Sequence, residues 1–314
     1  MTRKKIVAIG GGTGMPVLLR GLKQLPVDLS AIVTVADDGG SSGKLRNELA
    51  MPAPGDIRNV IAALADAEPM LIDLFQHRFK DGNGLSGHSM GNLLLAAMTS
   101  ISGDFYNGIK EISRVLKVKG NIYPIANQNV VLHAEMTDGE IVTGESNIPL
   151  ANKQIKRVFV SPLPVKPLPD AIEAIKQADL IVISPGSLYT SVMPNLIVPE
   201  IENALRDAPG KVVYVCNVMT QYGETTGYTA GDHIQAIHDH IGADIVSKIV
   251  VNNSQIEQDI RENYAEEHAE PVVYDISRLK SLGLEVIEAD IIDHDQRKLR
   301  HDTHKIAKLL YAML

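Results

Sequence analysis

The chain has 314 residues, of which 45% are hydrophobic, 22% charged and 4% aromatic, and its formal net charge is −8. That charge argues against broad, non-specific binding of nucleic acid but leaves room for a local basic pocket. The single cysteine, Cys216, excludes an internal disulfide framework and a multi-cysteine zinc site, and no apolar stretch approaches the roughly 18 residues of a membrane span, so we expect a cytoplasmic protein.

The first predicted elements form a strand, a glycine loop, a helix and a second strand. Residues 4–9 read as a buried strand, GGGTG follows, and apolar residues then recur at helical spacing before a second apolar strand over 29–36. This order opens a doubly wound α/β sheet.

The glycine loop is a candidate phosphate site, because glycines let a ligand approach the backbone and a helix N-terminus favours an anion. Its residues are Gly10, Gly11, Gly12, Thr13 and Gly14. The loop departs from the dinucleotide fingerprint, which needs glycine or alanine where Met15 stands, and from the Walker A motif, because no Gly-Lys-Ser/Thr closes it. A tight turn without a ligand is the alternative.

Asp37 and Asp38 follow the second strand and open a polar stretch over 37–55 that we predict to be a long loop. An acid at this place bonds a ribose hydroxyl in dinucleotide folds, which keeps NAD open as a ligand. Carboxylates also suit Mg²⁺, and a solvated pair at the start of a turn is the plain alternative.

The rest of the chain continues the α/β alternation after a helical segment at about 56–118 and an antiparallel β-hairpin insertion within about 127–160. We predict a helix over 169–178, strands over 180–184, 211–218, 248–253, 271–275 and 285–291, and a final helix near 301–313. With no linker or repeat, we predict a single α/β domain over 1–314. Its mainly parallel sheet should carry helices on both faces.

GHSMG, residues 87–91, has the spelling G-x-S-x-G of a hydrolase nucleophile elbow. An elbow needs a buried strand directly before it, whereas a helical pattern and the polar loop DGNGLSG precede Ser89 here. A strong helix begins near Gly91, so we favour Ser89 as its N-cap, with His88 and Asn92 beside it at a second helix N-terminus facing the ligand cleft.

Two further loops follow predicted strands, where open α/β sheets bind ligands. The first contains Gly186, Ser187 and Thr190, and the second contains Asn217. Their hydroxyl, amide and backbone groups suit phosphate or sugar oxygens. In the charged tail, Arg297 and Arg300 are both candidates to pair with a phosphate, and the pattern does not choose between them.

Together these motifs are specific. The segments GGGTG, TVADDGGSSGKLR, PAPGDIRN, LSGHSMGNLLLAAM, SPGSLYTSVMPNL and NVMTQYGETTGY span residues 10 to about 228. The chain closely resembles the bacterial gluconeogenesis-factor (YvcK-like) family, which is grouped with the 2-phospho-L-lactate transferases of coenzyme F420 synthesis.

The resemblance implies a Rossmann-like cytoplasmic protein that binds UDP-sugars, notably UDP-N-acetylglucosamine. It also implies a regulatory role, without an established reaction, in gluconeogenic growth, cell shape and wall synthesis. The glycine loop would contact the phosphates, Tyr264 would stack on uracil, and Arg300 would pair the diphosphate. We also expect a homo-oligomer and a regulatory protein partner.

The transferase relatives imply an alternative, which is a metal-dependent transferase acting on a nucleotide conjugate. Those relatives bind a guanosine nucleotide, a deazaflavin and a divalent metal, and the resemblance places the metal near Asp37, Asp38 and Asp56. The stretch DDGGSSGKLR departs from the transferase version of this loop, and no deazaflavin-binding segment is recognisable. The departure favours the nucleotide-sugar sensor.

Overall fold

The computed structural model describes residues 3–242, 245–293 and 299–314. Its ten strands are β1 Lys4–Gly10, β2 Val27–Val33, β3 Asn121–Pro124, β4 Val131–Met136, β5 Ile141–Thr143, β6 Ile155–Ser161, β7 Leu180–Ile183, β8 Lys211–Val215, β9 Lys248–Asn252 and β10 Glu285–Ala289. They form a seven-stranded sheet and a three-stranded sheet.

Thirteen α-helices surround the sheets in the described part of the chain. They are α1 Gly14–Leu22, α2 Gly40–Leu49, α3 Gly55–Leu64, α4 Pro69–Gln76, α5 Met90–Ser102, α6 Phe105–Val115, α7 Pro169–Lys176, α8 Met193–Leu196, α9 Pro199–Arg206, α10 Ala230–Ile241, α11 Gln258–Glu266, α12 Ile276–Ser281 and α13 Thr303–Tyr311. None of the described helices is long and apolar enough to cross a membrane.

The large sheet has the order β10-β9-β8-β7-β1-β2-β3, and all its pairs are parallel. Successive residues of β1 from Ile6 onward are buried, as expected where helices cover both faces. The chain leaves β1 for β2 on one side and later returns to β7 on the other. This topological switch point is where doubly wound sheets bind ligands, at the carboxyl ends of the strands.

The small sheet, β5-β4-β6, is antiparallel and contains the predicted hairpin as β4 and β5, with β6 added from the end of the segment. Alternate residues of β4, namely Leu132, Ala134 and Met136, are buried. They belong to the same continuous apolar core as the large sheet. The predicted α/β fold with a parallel sheet and a hairpin insertion is thus confirmed, and α3 to α6 fill the predicted helical segment.

Two local predictions are wrong, and one strand was missed. The stretch 37–55 contains α2, a helix whose glycine- and serine-rich start hides its pattern. The predicted strand over 271–275 makes only one bridge, between Met219 and Pro271, because proline has no N–H to donate and the carbonyl of Val273 accepts from Ala230. Strand β3 was not predicted, since it is only four residues long and ends on Pro124.

Candidate functional site

The glycine loop presses against the loop that follows β7. A Cβ atom on Gly14 would lie 2.3 Å from the carbonyl oxygen of Pro185, and one on Gly186 would lie 3.2 Å from that of Gly11. Gly12 has a φ of +66°, which favours glycine. Thr13 occupies the N-cap position of α1 but makes no capping bond with its side chain. The turn is therefore tight, and Thr13 leaves the N–H groups of the first turn of α1 for another acceptor.

A cavity of about 540 Å³ opens at the ends of β1, β7 and β8; we call it the strand-end cavity. It brings together seven of the predicted residues from five distant parts of the chain: Thr13, Gly14, Gly186, Ser187, Asn217, Tyr264 and Arg300. The size suits a ligand of nucleotide class.

Tyr264 and Arg300 approach this cavity from the C-terminal part of the chain. Tyr264 lies on α11, is half-buried, and donates a hydrogen bond from its hydroxyl to the carbonyl of Leu299 at 3.3 Å. The guanidinium of Arg300 makes no hydrogen bond or ion pair with the described residues. The pKa of Arg20 is lowered first by the partial burial of Arg20 and then by the positive charge of Arg300. The cavity therefore offers an aromatic ring and a cation whose guanidinium has no partner among the described residues. Arg297, the other candidate, lies outside the described residues.

Asn217 joins two of the loops. Its side-chain oxygen accepts from the N–H of Gly186 at 3.0 Å, and its side-chain nitrogen donates to the carbonyl of Gly186 at 2.7 Å. Both ends of the amide are thus used to hold the loop after β7 against the end of β8. Asn217 shapes the cavity more than it offers free groups to a ligand.

His301 also lines the cavity, and sequence reasoning missed it. Its Nε2 lies 3.2 Å from the carbonyl of Cys216, and burial lowers the pKa of the imidazole to about 4. A neutral ring that donates through Nε2 satisfies this geometry. The sequence signal that could have pointed to His301 is its position directly after Arg300.

Partly buried acids lie on the other side of the glycine loop. An oxygen of Asp56 accepts from the N–H of Gly12 at 2.9 Å, and burial raises the pKa of this carboxyl to about 6, with a further increase from Asp37. Burial and then the charge of Asp37 raise the pKa of Glu145 to about 8. Sequence reasoning missed Glu145, which comes from the segment after β5.

Glu224 is a third acid of this region, it is buried, and it explains where the hydroxyl of Thr190 is bonded. The hydroxyl of Thr190 donates to Glu224 at 2.9 Å, and the N–H of Tyr189 donates to the same carboxyl at 3.1 Å. Burial raises the pKa of Glu224 to about 7. Since Thr190 is only 3% exposed and its hydroxyl is occupied, it supports the loop from beneath.

Asp38 and Asp56 are the predicted metal ligands, and both carboxylates already accept hydrogen bonds from backbone N–H groups. Among the residues that the structure describes, no three His, Cys, Asp or Glu side chains are placed to hold one ion. Asp56 accepts from Gly12, and Asp38 accepts from the N–H of Ser146 at 2.9 Å. A divalent metal on Asp38 and Asp56 stays a prediction.

Ser89 is the N-cap of α5, and its oxygen accepts from the N–H of Asn92 at 3.4 Å. The residue is fully buried, and before it lies only an isolated bridge to Arg78 instead of a strand of the large sheet. The Oγ of Ser41 bonds His88 Nδ1 at 3.0 Å and Asn92 Nδ2 at 3.1 Å. The segment 88–92 thus ties α5 to α2, away from the described lining of the strand-end cavity.

Comparisons with known proteins agree with this architecture. The family model described as 2-phospho-L-lactate transferase CofD matches residues 6–292. A "Gluconeogenesis factor" of Bacillus subtilis is 57% identical over 99% of this chain and 98% of its own. Another from Halalkalibacterium halodurans is also 57% identical, over 99% and 96%. A crystal structure of a Bacillus halodurans protein has a TM-score of 0.97 at 56% identity, covering 99% of this chain and 100% of that one.

Proposed function

Because this chain belongs to the gluconeogenesis-factor family, within the wider 2-phospho-L-lactate transferase CofD family, we propose that it binds a UDP-sugar of the UDP-N-acetylglucosamine type in the strand-end cavity. It acts as a cytoplasmic regulatory protein. It reports the supply of this precursor to a protein partner and so links gluconeogenic growth to cell shape and wall synthesis.

The observation that carries this proposal is the convergence of Gly14, Arg300 and Tyr264 on one cavity. The first turn of α1 offers N–H groups and the positive end of a helix dipole to the diphosphate. Arg300, which has no partner among the described residues, adds a bidentate donor for phosphate oxygens. Tyr264 offers a ring face to the uracil, and such stacking contributes about 1–3 kcal/mol per base.

The regulatory assignment rests on what surrounds the cavity. Its lining contributes an arginine, amides, hydroxyls, the exposed carboxylate of Glu267 and a histidine whose pKa burial lowers to about 4. A neutral imidazole that donates to a backbone carbonyl is a poor general base. We therefore favour a protein that holds its ligand over one that converts it.

Isothermal titration of UDP-N-acetylglucosamine, GDP and NAD tests the proposal. The UDP-sugar should bind most tightly, and Tyr264→Ala and Arg300→Ala should each weaken it about tenfold or more, as expected for one lost stacking or charge-assisted contact. Tyr311→Ala and Arg114→Ala are matched controls, because both residues are exposed and lie outside the lining. Absence of UDP-sugar binding at millimolar concentration would refute the proposal.

A transferase is the alternative, favoured by the family description and by the buried acids beside Gly12. It predicts Mg²⁺- or Mn²⁺-dependent turnover of a nucleotide conjugate, lost in Asp38→Asn. The assay is a product screen with and without the metal. Binding without turnover across nucleotide-linked substrates would decide for the sensor.

A further inference from the structure

A second cavity, of about 370 Å³, lies beside the first at the ends of β8 and β9; we call it the β8–β9 cavity. Most of its wall is apolar, and Val218, Val251, Ile256 and Val272 contribute to it. Arg261 of α11 is the one charged residue in the described lining. A largely apolar cavity with a single charged group is typical of a site for a small amphipathic ligand.

The two cavities share a thin wall. The loop after β8 pairs with the segment around Glu270, through bonds from Val272 N–H to Val218 O at 2.9 Å and from Thr220 N–H to Glu270 O at 2.7 Å. The Thr220 hydroxyl also accepts from Glu270 N–H at 2.9 Å. Both cavities are therefore closed by the same backbone, and a ligand on one side contacts the wall of the other.

Arg261 is available to a ligand. Its guanidinium makes no hydrogen bond or ion pair with the described residues, although acids surround it on α11. Among them, Glu262 accepts from Gln258, and Asp259 accepts from the N–H of Ile260. The nearby N-terminus of α10 is no competing anion site, because Thr229 caps it and Asp275 accepts from Gly231 at 2.8 Å.

We propose that the β8–β9 cavity binds a small carboxylate with an apolar body, as an effector distinct from the nucleotide. The apolar body contacts Val218, Val251 and Val272, and the carboxylate pairs with Arg261. A carboxylate is favoured over a phosphate because one arginine balances one negative charge, and a second charge near the acids of α11 would be unpaired.

The effector is coupled to the nucleotide through α11, a step that rests on the proposed function. Arg261 faces one cavity, and Tyr264, one turn later, faces the other. The helix packs mainly through Ile260 into a small cluster with Val218, Ile256 and Ile292, separate from the main core. A carboxylate that draws Arg261 inward therefore moves Tyr264 as well.

Titration of the intact protein with hexanoate and its uncharged match, hexanamide, tests the site. Hexanoate should bind saturably and about tenfold or more tightly than hexanamide, as expected for one charge-assisted hydrogen bond. Arg261→Gln should abolish the difference, Arg261→Lys should keep part of it, and Arg114→Gln should leave it unchanged. Equal binding of the two probes, no binding of either, or discrimination that survives Arg261→Gln would overturn the proposal.

The coupling has its own readout, which is the affinity for UDP-N-acetylglucosamine with and without saturating hexanoate. We expect saturating hexanoate to change the affinity for UDP-N-acetylglucosamine. By reciprocity, the UDP-sugar should change the affinity for hexanoate by the same factor and in the same direction. An unchanged affinity would overturn the coupling. If the UDP-sugar does not bind at all, the proposed function and the coupling both fail, while the hexanoate titration still decides whether the site exists.

Discussion

The carboxylate of Asp56 accepts a hydrogen bond from the backbone N–H of Gly12 at 2.9 Å, although 44 residues separate them along the chain. The bond fixes the glycine loop to the first turn of α3. It also places a buried acid directly behind the candidate phosphate site, where an ionised carboxylate is costly.

Asp56→Asn should stabilise the protein at neutral pH. Its pKa is about 6 in the folded chain against a usual 3.8, so the folded state binds the proton more tightly, and stability is lost as the pH rises from about 4 through 6. Asparagine keeps an acceptor for Gly12 without the charge. We expect a gain on the order of 2–3 kcal/mol above pH 7 that disappears near pH 4.

Denaturant unfolding over a pH series measures this difference. Asp207→Asn, at an exposed position, is the control and should change nothing. A variant that is less stable than the original chain at pH 7.5 would show that the ionised carboxylate, through its bond to Gly12, stabilises the loop.

His301→Gln should act in the opposite direction on the pH profile. The folded pKa of His301 is about 4 against a usual 6.5, so the unfolded chain binds the proton more tightly, and this histidine lowers stability as the pH falls from 6.5 towards 4. Glutamine can still donate to Cys216 and does not titrate.

The His301→Gln variant should therefore lose less stability than the original chain between pH 6.5 and 4.5, measured by thermal unfolding. His304→Gln, at an exposed position, is the control and should follow the original chain. Parallel profiles for both variants would mean that His301 is not held neutral. The variants must be compared with the original chain, because Asp56 and His301 have opposite effects on stability between pH 6.5 and 4.5. As the pH falls, protonation of Asp56 favours the folded state and protonation of His301 favours the unfolded state.

Ser89→Ala should cost about 1 kcal/mol or less of unfolding free energy, because it removes one long N-cap bond from α5. Asp104→Ala is the matched comparison, since Asp104 caps α6 with a shorter bond of 2.9 Å and should cost at least as much. The UDP-sugar affinity of Ser89→Ala should stay near that of the original chain. Neither this variant nor the original chain should hydrolyse esters. An esterase activity lost only in Ser89→Ala would restore the nucleophile hypothesis.

The sequence predicts the sheet well because its strands are short, apolar and buried on both faces, and the glycine loop because it directly follows one of them. It also predicts three parts of the strand-end cavity, namely the loops after β1, β7 and β8, since carboxyl ends of parallel strands meet at one edge. Tyr264 and the choice of Arg300 come from the family resemblance. It does not predict that Glu224 is buried or that Glu145 is partly buried. Their burial depends on tertiary contacts, and no local pattern distinguishes them from solvated glutamates.

The same limit explains the segment around Ser89. The helical pattern that follows Ser89 indicates a helix N-cap, which the structure confirms, but the direction of this segment relative to the cleft depends on how α5 packs against α2. The bonds from Ser41 to His88 and Asn92 join residues about fifty positions apart. Such a partnership cannot be read from spacing within either motif.

Gly14→Ala should damage both the fold and the strand-end cavity. The added Cβ would lie 2.3 Å from the carbonyl oxygen of Pro185 and 2.8 Å from its carbon, and both are backbone atoms that a side-chain rotation cannot move. The loop after β7 must then shift away from α1, which we expect to cost about 1–3 kcal/mol of stability. Because Gly186 moves with that loop, UDP-sugar affinity should fall as well.

Gly39→Ala supplies the control, because the same methyl group there would meet only an oxygen of Asp37, at 3.4 Å. Gly39 has φ −78° and ψ 149°, which alanine adopts without strain. Its unfolding free energy and UDP-sugar affinity should both stay close to those of the original chain. If Gly14→Ala also melts and binds like the original chain, contact between the two loops does not determine the shape of the cavity.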